Sequence, residues 1–308
     1  MSSEDKHSTE SDGLLNDPSR RDFVALSAAA VGLAAGAGSA QAASMHIVEK
    51  DVNIQTGDGT CDAAYFYPAA GTHPGVIIWT DIFGLRPTFR AFGRRLAASG
   101  YAVLVPNPFY RTAKAPVYTE DEIAHFDFRS ADARKRMQAD TGPMDAKGAI
   151  ETDAKAHVQF LDSQPQVDTS KKIGTQGYCM GGPLVFRTVA SQSDRVGAGA
   201  TFHGGGLVTD HPDSPHLLIP QFKAQMYVAI AASDDKRQPD AKDKLKAGFQ
   251  ASEVPAVAKS TVIVYTGTFH GWTVPDMPHQ PNGKPIYNRA EAEIAWNHLL
   301  KLYSANLA

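Results

Sequence analysis

Short apolar runs alternate with segments of helical spacing along most of this chain, and the alternation itself predicts an architecture. Ile47–Gln55 and Cys61–Pro68 alternate apolar and polar positions around Gly57-Asp58-Gly59, the pattern of an antiparallel hairpin at a sheet edge. The pattern then changes. Gly75-Val76-Ile77-Ile78-Trp79 and Tyr101-Ala102-Val103-Leu104-Val105 are continuous apolar runs, and between them Pro87–Ser99 places Phe89, Phe92 and Leu96 on one helical face. This is a βαβ unit. The rhythm continues with a helix over about Asp145–Leu161, a strand leading into Cys179 and a helix after it, and a strand at Val196–Phe202. A strand at Met226–Ala232, a helix near Ala241–Phe249, a strand at Thr261–Tyr265 and a last helix over Asn288–Tyr303 complete it. Strands alternating with helices predict an α/β fold with a mostly parallel central sheet and helices on both faces. Ligands then bind beyond the carboxyl ends of the strands.

Two segments fall outside the rhythm. Tyr110–Met144 is polar, interrupted by proline and charged over Arg129–Arg136, which predicts a helical excursion over the site; Asp210–Pro220 reads as a surface loop. His211 and His216 lie in that loop without cysteine or carboxylate companions at ligand spacing, so no metal site is expected there.

The first 42 residues differ in kind. A polar leader is followed by Ser19-Arg20-Arg21-Asp22-Phe23-Val24, an Ala/Gly-rich apolar run over Ala25–Ala37, and Ala40-Gln41-Ala42. That order matches a signal peptide with an A-x-A cleavage site, and the paired arginines resemble an address read by twin-arginine export machinery. The apolar run is too short and glycine-rich to span a bilayer. The expectation is a domain over 43–308, periplasmic or secreted, without membrane insertion. A formal charge of −3 and a pI near 6.4 over 308 residues lack the basic footprint of nucleic-acid binding.

The candidate chemistry centres on Gly177-Tyr178-Cys179-Met180-Gly181-Gly182, between a predicted strand and a predicted helix. It reads as a nucleophile elbow: the chain turns sharply from strand to helix, so the residues flanking the nucleophile must be small. The apex is cysteine, and unpaired N–H groups at a helix N-terminus suit a sulfur anion. The other cysteine, Cys61, lies on an early strand, and no bridge between the two is expected. A sulfur nucleophile needs a base, and the base an orienting carboxylate. Ser233-Asp234-Asp235 follows one predicted strand and Phe269-His270-Gly271-Trp272 follows the next, in the order acid then histidine. His270 is the candidate base and Asp234 its orienter, with Asp235 as alternative acid. His203, in Phe202-His203-Gly204-Gly205-Gly206, is the rival base, but it precedes both aspartates.

The elbow, the downstream Asp234 and His270-Gly271-Trp272 together resemble the dienelactone hydrolase family of α/β-hydrolases, from about Met45 to the C-terminus. The resemblance implies a Cys-His-Asp triad, no metal or organic cofactor, and hydrolysis of a small ester or lactone through a thioester acyl-enzyme. It also implies an oxyanion hole from the backbone N–H groups of Met180 and Ile82, and an acidic resting partner for the thiol after the third strand. Here that place holds Asp81, where the characterised lactone hydrolase has the longer glutamate. Of the two arginines that grip that enzyme's substrate carboxylate, the first corresponds to Arg111 and the second to Val274, which cannot pair with an anion. Trp272 and Tyr178, beside base and nucleophile, are expected at the substrate. A broader carboxylesterase or thioesterase uses the same triad. A non-catalytic binding protein or thiol redox sensor would need the fold without the Asp234–His270 pair.

Overall fold

The computed structural model describes residues 45–280 and 282–307, and the order of its elements follows the alternation of apolar runs. The hairpin is β1 (Ile47–Thr56) and β2 (Gly59–Pro68), and the βαβ unit is β3 (Gly75–Trp79), α1 (Pro87–Ala97) and β4 (Ala102–Pro106). The excursion holds α2 (Glu120–Ala124) and α3 (Ala131–Thr141). Then come α4 (Ala149–Asp162), β5 (Ile173–Tyr178), α5 (Gly181–Ser191), β6 (Val196–Phe202), β7 (Gln225–Ala231) and α6 (Ala232–Arg237). The chain closes with α7 (Ala241–Gln250), α8 (Pro255–Ala258), β8 (Thr261–Tyr265) and α9 (Arg289–Asn306). The expected leader and export signal over 1–42 lie outside the described residues.

One eight-stranded sheet runs β1-β2-β4-β3-β5-β6-β7-β8. The pairs β1/β2 and β2/β4 are antiparallel, and every pair from β4/β3 to β7/β8 is parallel. Every residue of β3, β4 and β5 is buried, which is why these strands read as unbroken apolar runs. On one face, α1 buries Phe89, Phe92 and Leu96; Phe89 meets the ring of Tyr178 at 5.3 Å and Phe92 meets Trp296 of α9 at 6.1 Å. Burying each of those phenylalanines stabilises the fold by about 1.5–3 kcal/mol. On the other face Ile77, Trp79 and Ile173 pack with Ala154, Val158 and Leu161 of α4 and with Val185 and Val189 of α5.

One segment departs from expectation, for a physical reason. Part of the expected surface loop 210–220 is a 3₁₀ turn, Pro215–Gln221, that buries Pro215 and Ile219, and Phe222 behind it meets Phe186 at 5.4 Å. Its prolines and histidines concealed that apolar anchor. Directly after β7 the chain forms α6, which carries Asp234 and Asp235. In the excursion, α2 starts on a capping box in which the Thr119 hydroxyl accepts from the Glu122 N–H while the Glu122 carboxylate accepts from the Thr119 N–H. Phe126 and Phe128, just beyond it, meet the ring of Phe83 at 5.0 and 5.8 Å, so the excursion packs on the loop that follows β3. Among the described residues no helix is long and apolar enough to cross a membrane.

Candidate active site

Cys179 stands where β5 ends and α5 begins, with φ of 51°. A side chain there is strained, and the surroundings hold it: the Cys179 N–H donates to the Phe202 carbonyl at 3.0 Å, and the Cys179 carbonyl accepts from Gly182 and Gly205 at 3.0 and 3.2 Å. The flanking glycines are required by space. A Cβ on Gly177 would lie 2.2 Å from the Gly181 carbonyl oxygen, and one on Gly181 would lie 2.6 Å from that of Trp79. The sulfur is half-buried, and Cys61, fully buried on β2, is likewise a free thiol.

His270 reaches the elbow from the loop after β8. Its Nε2 lies 3.0 Å from Cys179 Sγ and its Nδ1 lies 2.8 Å from Asp234 Oδ2. The backbone around it is tied: His270 N–H donates to Ser233 Oγ at 2.9 Å, and the Thr268 hydroxyl donates to the Tyr265 carbonyl while accepting from the Ala232 N–H. The segments that carry Asp234 and His270 are therefore stitched to each other. Burial of the imidazole disfavours its cation, but the Cys179 sulfur and the Asp234 carboxylate outweigh it and push the His270 pKa up to about 10. The arrangement suits an imidazolium that donates Nε2–H to the sulfur and Nδ1–H to Asp234. Asp235 is engaged elsewhere, accepting from Lys242 Nζ at 2.8 Å, so the geometry favours Asp234 as the orienter.

The rival base lies behind His270. The His203 ring centroid is 5.1 Å from that of His270, edge to face, and its Nε2 is 2.9 Å from Thr273 Oγ1. Burial, reinforced by His270, holds its pKa well below the ordinary range, so it is neutral. Among the described residues, neither the Met180 N–H nor the Ile82 N–H has a hydrogen-bond acceptor. No group of three or more His, Cys, Asp or Glu among the described residues could hold a metal ion.

Four expected site residues sit differently. Asp81 does not face the thiol: its Oδ1 and Oδ2 accept from Arg86 at 2.6 and 2.9 Å, and Oδ1 also accepts from the Phe83 N–H. A guanidinium five residues on supplies two parallel donors, a better match for this short side chain than a distant sulfur. Arg111 is already paired: it donates to Asp153 at 2.7 and 2.9 Å and to Asp58 at 2.6 and 2.9 Å. Tyr178 is fully buried, stacked on Phe202 at 4.9 Å, and its hydroxyl accepts from Gln176. Alternation along β5 turns it into the core beneath the elbow. Trp272 is also fully buried, against Tyr265 at 4.5 Å, and Val274 beside it is buried as well.

Sequence reasoning missed Arg86 and Asp276. Arg86 is 2% exposed, and it donates from Nε and one terminal nitrogen to both oxygens of Asp276 at 2.8 Å, 190 residues away. The one local hint was an arginine directly before the proline that opens α1.

A carboxymethylenebutenolidase of Rhodococcus opacus is 28% identical over 142 residues, covering 46% of this chain and 48% of that protein. The carboxymethylenebutenolidase of Pseudomonas putida is 27% identical over 175 residues, covering 56% of this chain and 69% of that protein. The chain thus spans about half the length of the first and about two thirds of the second. Among solved structures, a dienelactone hydrolase-like promiscuous phosphotriesterase from metagenomic libraries superposes with a TM-score of 0.67 at 22% identity, over 85% of this chain and 99% of that one. That likeness shows an α/β-hydrolase fold. A model of the dienelactone hydrolase family matches residues 61–307, a span that includes Cys179, Asp234 and His270 as well as the parallel sheet beneath them, and the chain belongs to that family.

Proposed function

We propose that the protein is an exported hydrolase of small, uncharged esters or lactones, working through a thioester on Cys179. The observation that carries the reading is the line of short contacts from Asp234 through His270 to Cys179, 2.8 and 3.0 Å, at the top of a strand–helix elbow. The Cys179 thiolate attacks the carbonyl carbon, and the oxygen that becomes negative lies toward the N–H groups of Met180 and Ile82. Collapse breaks the bond to the leaving oxygen, and His270 gives that oxygen its Nε2 proton. Neutral His270 then takes a proton from water as the water attacks the thioester. Collapse of the second adduct releases the acid and restores thiolate and imidazolium. Asp234 keeps the ring in the tautomer and orientation both steps need.

The preference for uncharged substrates rests on how Arg111 and Arg86 are paired. Arg111 is paired with Asp153 and Asp58, Arg86 with Asp81 and Asp276, and the position of the second arginine holds buried Val274. Phe269, next to the base, leaves 45% of its surface exposed and offers an apolar contact instead. A matched pair of p-nitrophenyl esters, one ending in a methyl group and one in a carboxylate, tests both parts. The neutral ester is expected to be hydrolysed with at least about tenfold higher kcat/KM, the loss expected when a buried anion lacks a partner. Preference for the carboxylate would contradict the substrate assignment. Hydrolysis undiminished in Cys179→Ala would contradict the mechanism.

A further inference from the structure

Arg86 ties together two loops that meet at the site. From the position just before α1 its guanidinium forks onto Asp81, in the turn Asp81–Gly84 that carries Ile82, and onto Asp276, in the loop that runs on from His270. Further contacts fix the pair. Arg86 donates to the Gly84 carbonyl at 3.2 Å, the Phe83 N–H donates to Asp81 Oδ1 at 3.0 Å, and the Gly84 N–H donates to the Asp81 carbonyl at 3.0 Å. On the far side the Thr88 hydroxyl donates to Asp276 Oδ2 at 2.6 Å. The guanidinium plane is covered by Phe89, with its centre 4.9 Å from the ring centroid. Among the described residues, every hydrogen bond of the Asp81 carboxylate thus serves the turn and the clasp, and the N–H of Ile82 has no hydrogen-bond acceptor.

We infer that Arg86 is a positioning residue that holds the Ile82 N–H where the oxyanion forms, with Asp81 as the near arm of a clasp anchored to the histidine loop through Asp276. Asp81 is thereby a fixed part of the oxyanion loop and does not serve as a resting partner of the thiol. Two carboxylates, Asp81 buried and Asp276 half-buried, sharing one guanidinium leave a net negative charge, which a substrate oxyanion would oppose if the carboxylates were free to turn toward it. The bidentate geometry prevents that turn. Lysine keeps the charge but cannot present parallel donors to two carboxylates, so the turn would relax.

The inference rests on the proposed thioester chemistry, and two reactions of Cys179 separate the two. Ester hydrolysis uses the oxyanion hole; alkylation by iodoacetamide is a direct displacement at carbon that develops no oxyanion. In Arg86→Lys and in Asp276→Asn, kcat on a neutral p-nitrophenyl ester is expected to fall by about 10- to 100-fold with KM within about twofold, the scale of a misplaced oxyanion donor. The alkylation rate of Cys179 is expected to stay within about twofold of the parent's, because the thiolate and His270 are intact. Thr88→Val, which removes one contact to Asp276 and no charge, keeps the test open if the charge-changing variants fail to fold; it is expected to lower kcat by a smaller factor, again without slowing alkylation. Cys179-dependent hydrolysis at the parental rate in folded Arg86→Lys, or hydrolysis and alkylation falling in parallel, would overturn the positioning role alone. Hydrolysis that survives Cys179→Ala would overturn the thioester reading and this inference with it.

Discussion

At the scale of single residues, His270 carries the sharpest expectation. Its side chain is 28% exposed, so the ring edge meets solvent while Nδ1 and Nε2 are held by Asp234 and Cys179. A histidine whose folded pKa is raised to about 10 contributes stability that is fully present below its unfolded value of about 6.5 and is lost as pH rises through the folded one. Urea unfolding is therefore expected to show stability declining between about pH 7 and 10, and declining less in His270→Gln, in which the group that titrates is gone. A pH dependence identical in the two proteins would contradict the imidazolium. In activity, His270→Ala is expected to lower kcat/KM by about 10²–10⁴-fold in steady-state assays, the usual worth of a general acid–base group. Asp235→Asn, whose side chain pairs with Lys242, is expected to change it by less than about twofold.

At the scale of elements, the elbow and the last helix each have one position where the backbone depends on a single residue. In Gly177→Ala the new Cβ would have to occupy space 2.2 Å from the Gly181 carbonyl oxygen. The strand and helix must separate, and a loss of about 3 kcal/mol or more in denaturant unfolding is expected, with activity lost in the fraction that folds. Asn288 caps α9 by accepting from the Glu291 N–H at 3.3 Å, and the helix it starts buries Trp296, Leu299 and Tyr303. Asn288→Ala is expected to cost about 1 kcal/mol and leave kcat unchanged. These elements were legible in the sequence because their causes are local: continuous apolar runs mark strands buried on both faces, and small residues mark the elbow. The Asp81–Arg86–Asp276 clasp was not legible, because it joins chain positions 190 residues apart and no periodicity encodes the meeting of three charges. For the same reason Arg111 reads as a free cation until Asp153 of α4 is seen beside it, and Tyr178 reads as part of the site although strand alternation buries it.

At the scale of the whole molecule, the order of strands brings the chemistry together. Asp234 follows β7 and His270 follows β8 at one edge of the sheet, while Cys179 follows the central β5; parallel direction puts all three at one end. The chain order Cys179, Asp234, His270 is legible in the sequence, and the fold converts it into contacts of 2.8 and 3.0 Å. Export belongs to this scale too: if residues 1–42 are a twin-arginine signal, replacing Arg20 and Arg21 together by lysine is expected to keep the protein in the cytoplasm, and the mature chain is expected to begin at Ala43 by intact mass. The central claim concerns the sulfur, and mass analysis of the Cys179 peptide after rapid quenching during turnover of a neutral p-nitrophenyl ester tests it most directly. The account predicts a gain equal to the acyl group on Cys179, removable by hydroxylamine and more abundant when deacylation is slowed; steady turnover with Cys179 always unmodified, at a rate unchanged in Cys179→Ala, would contradict it.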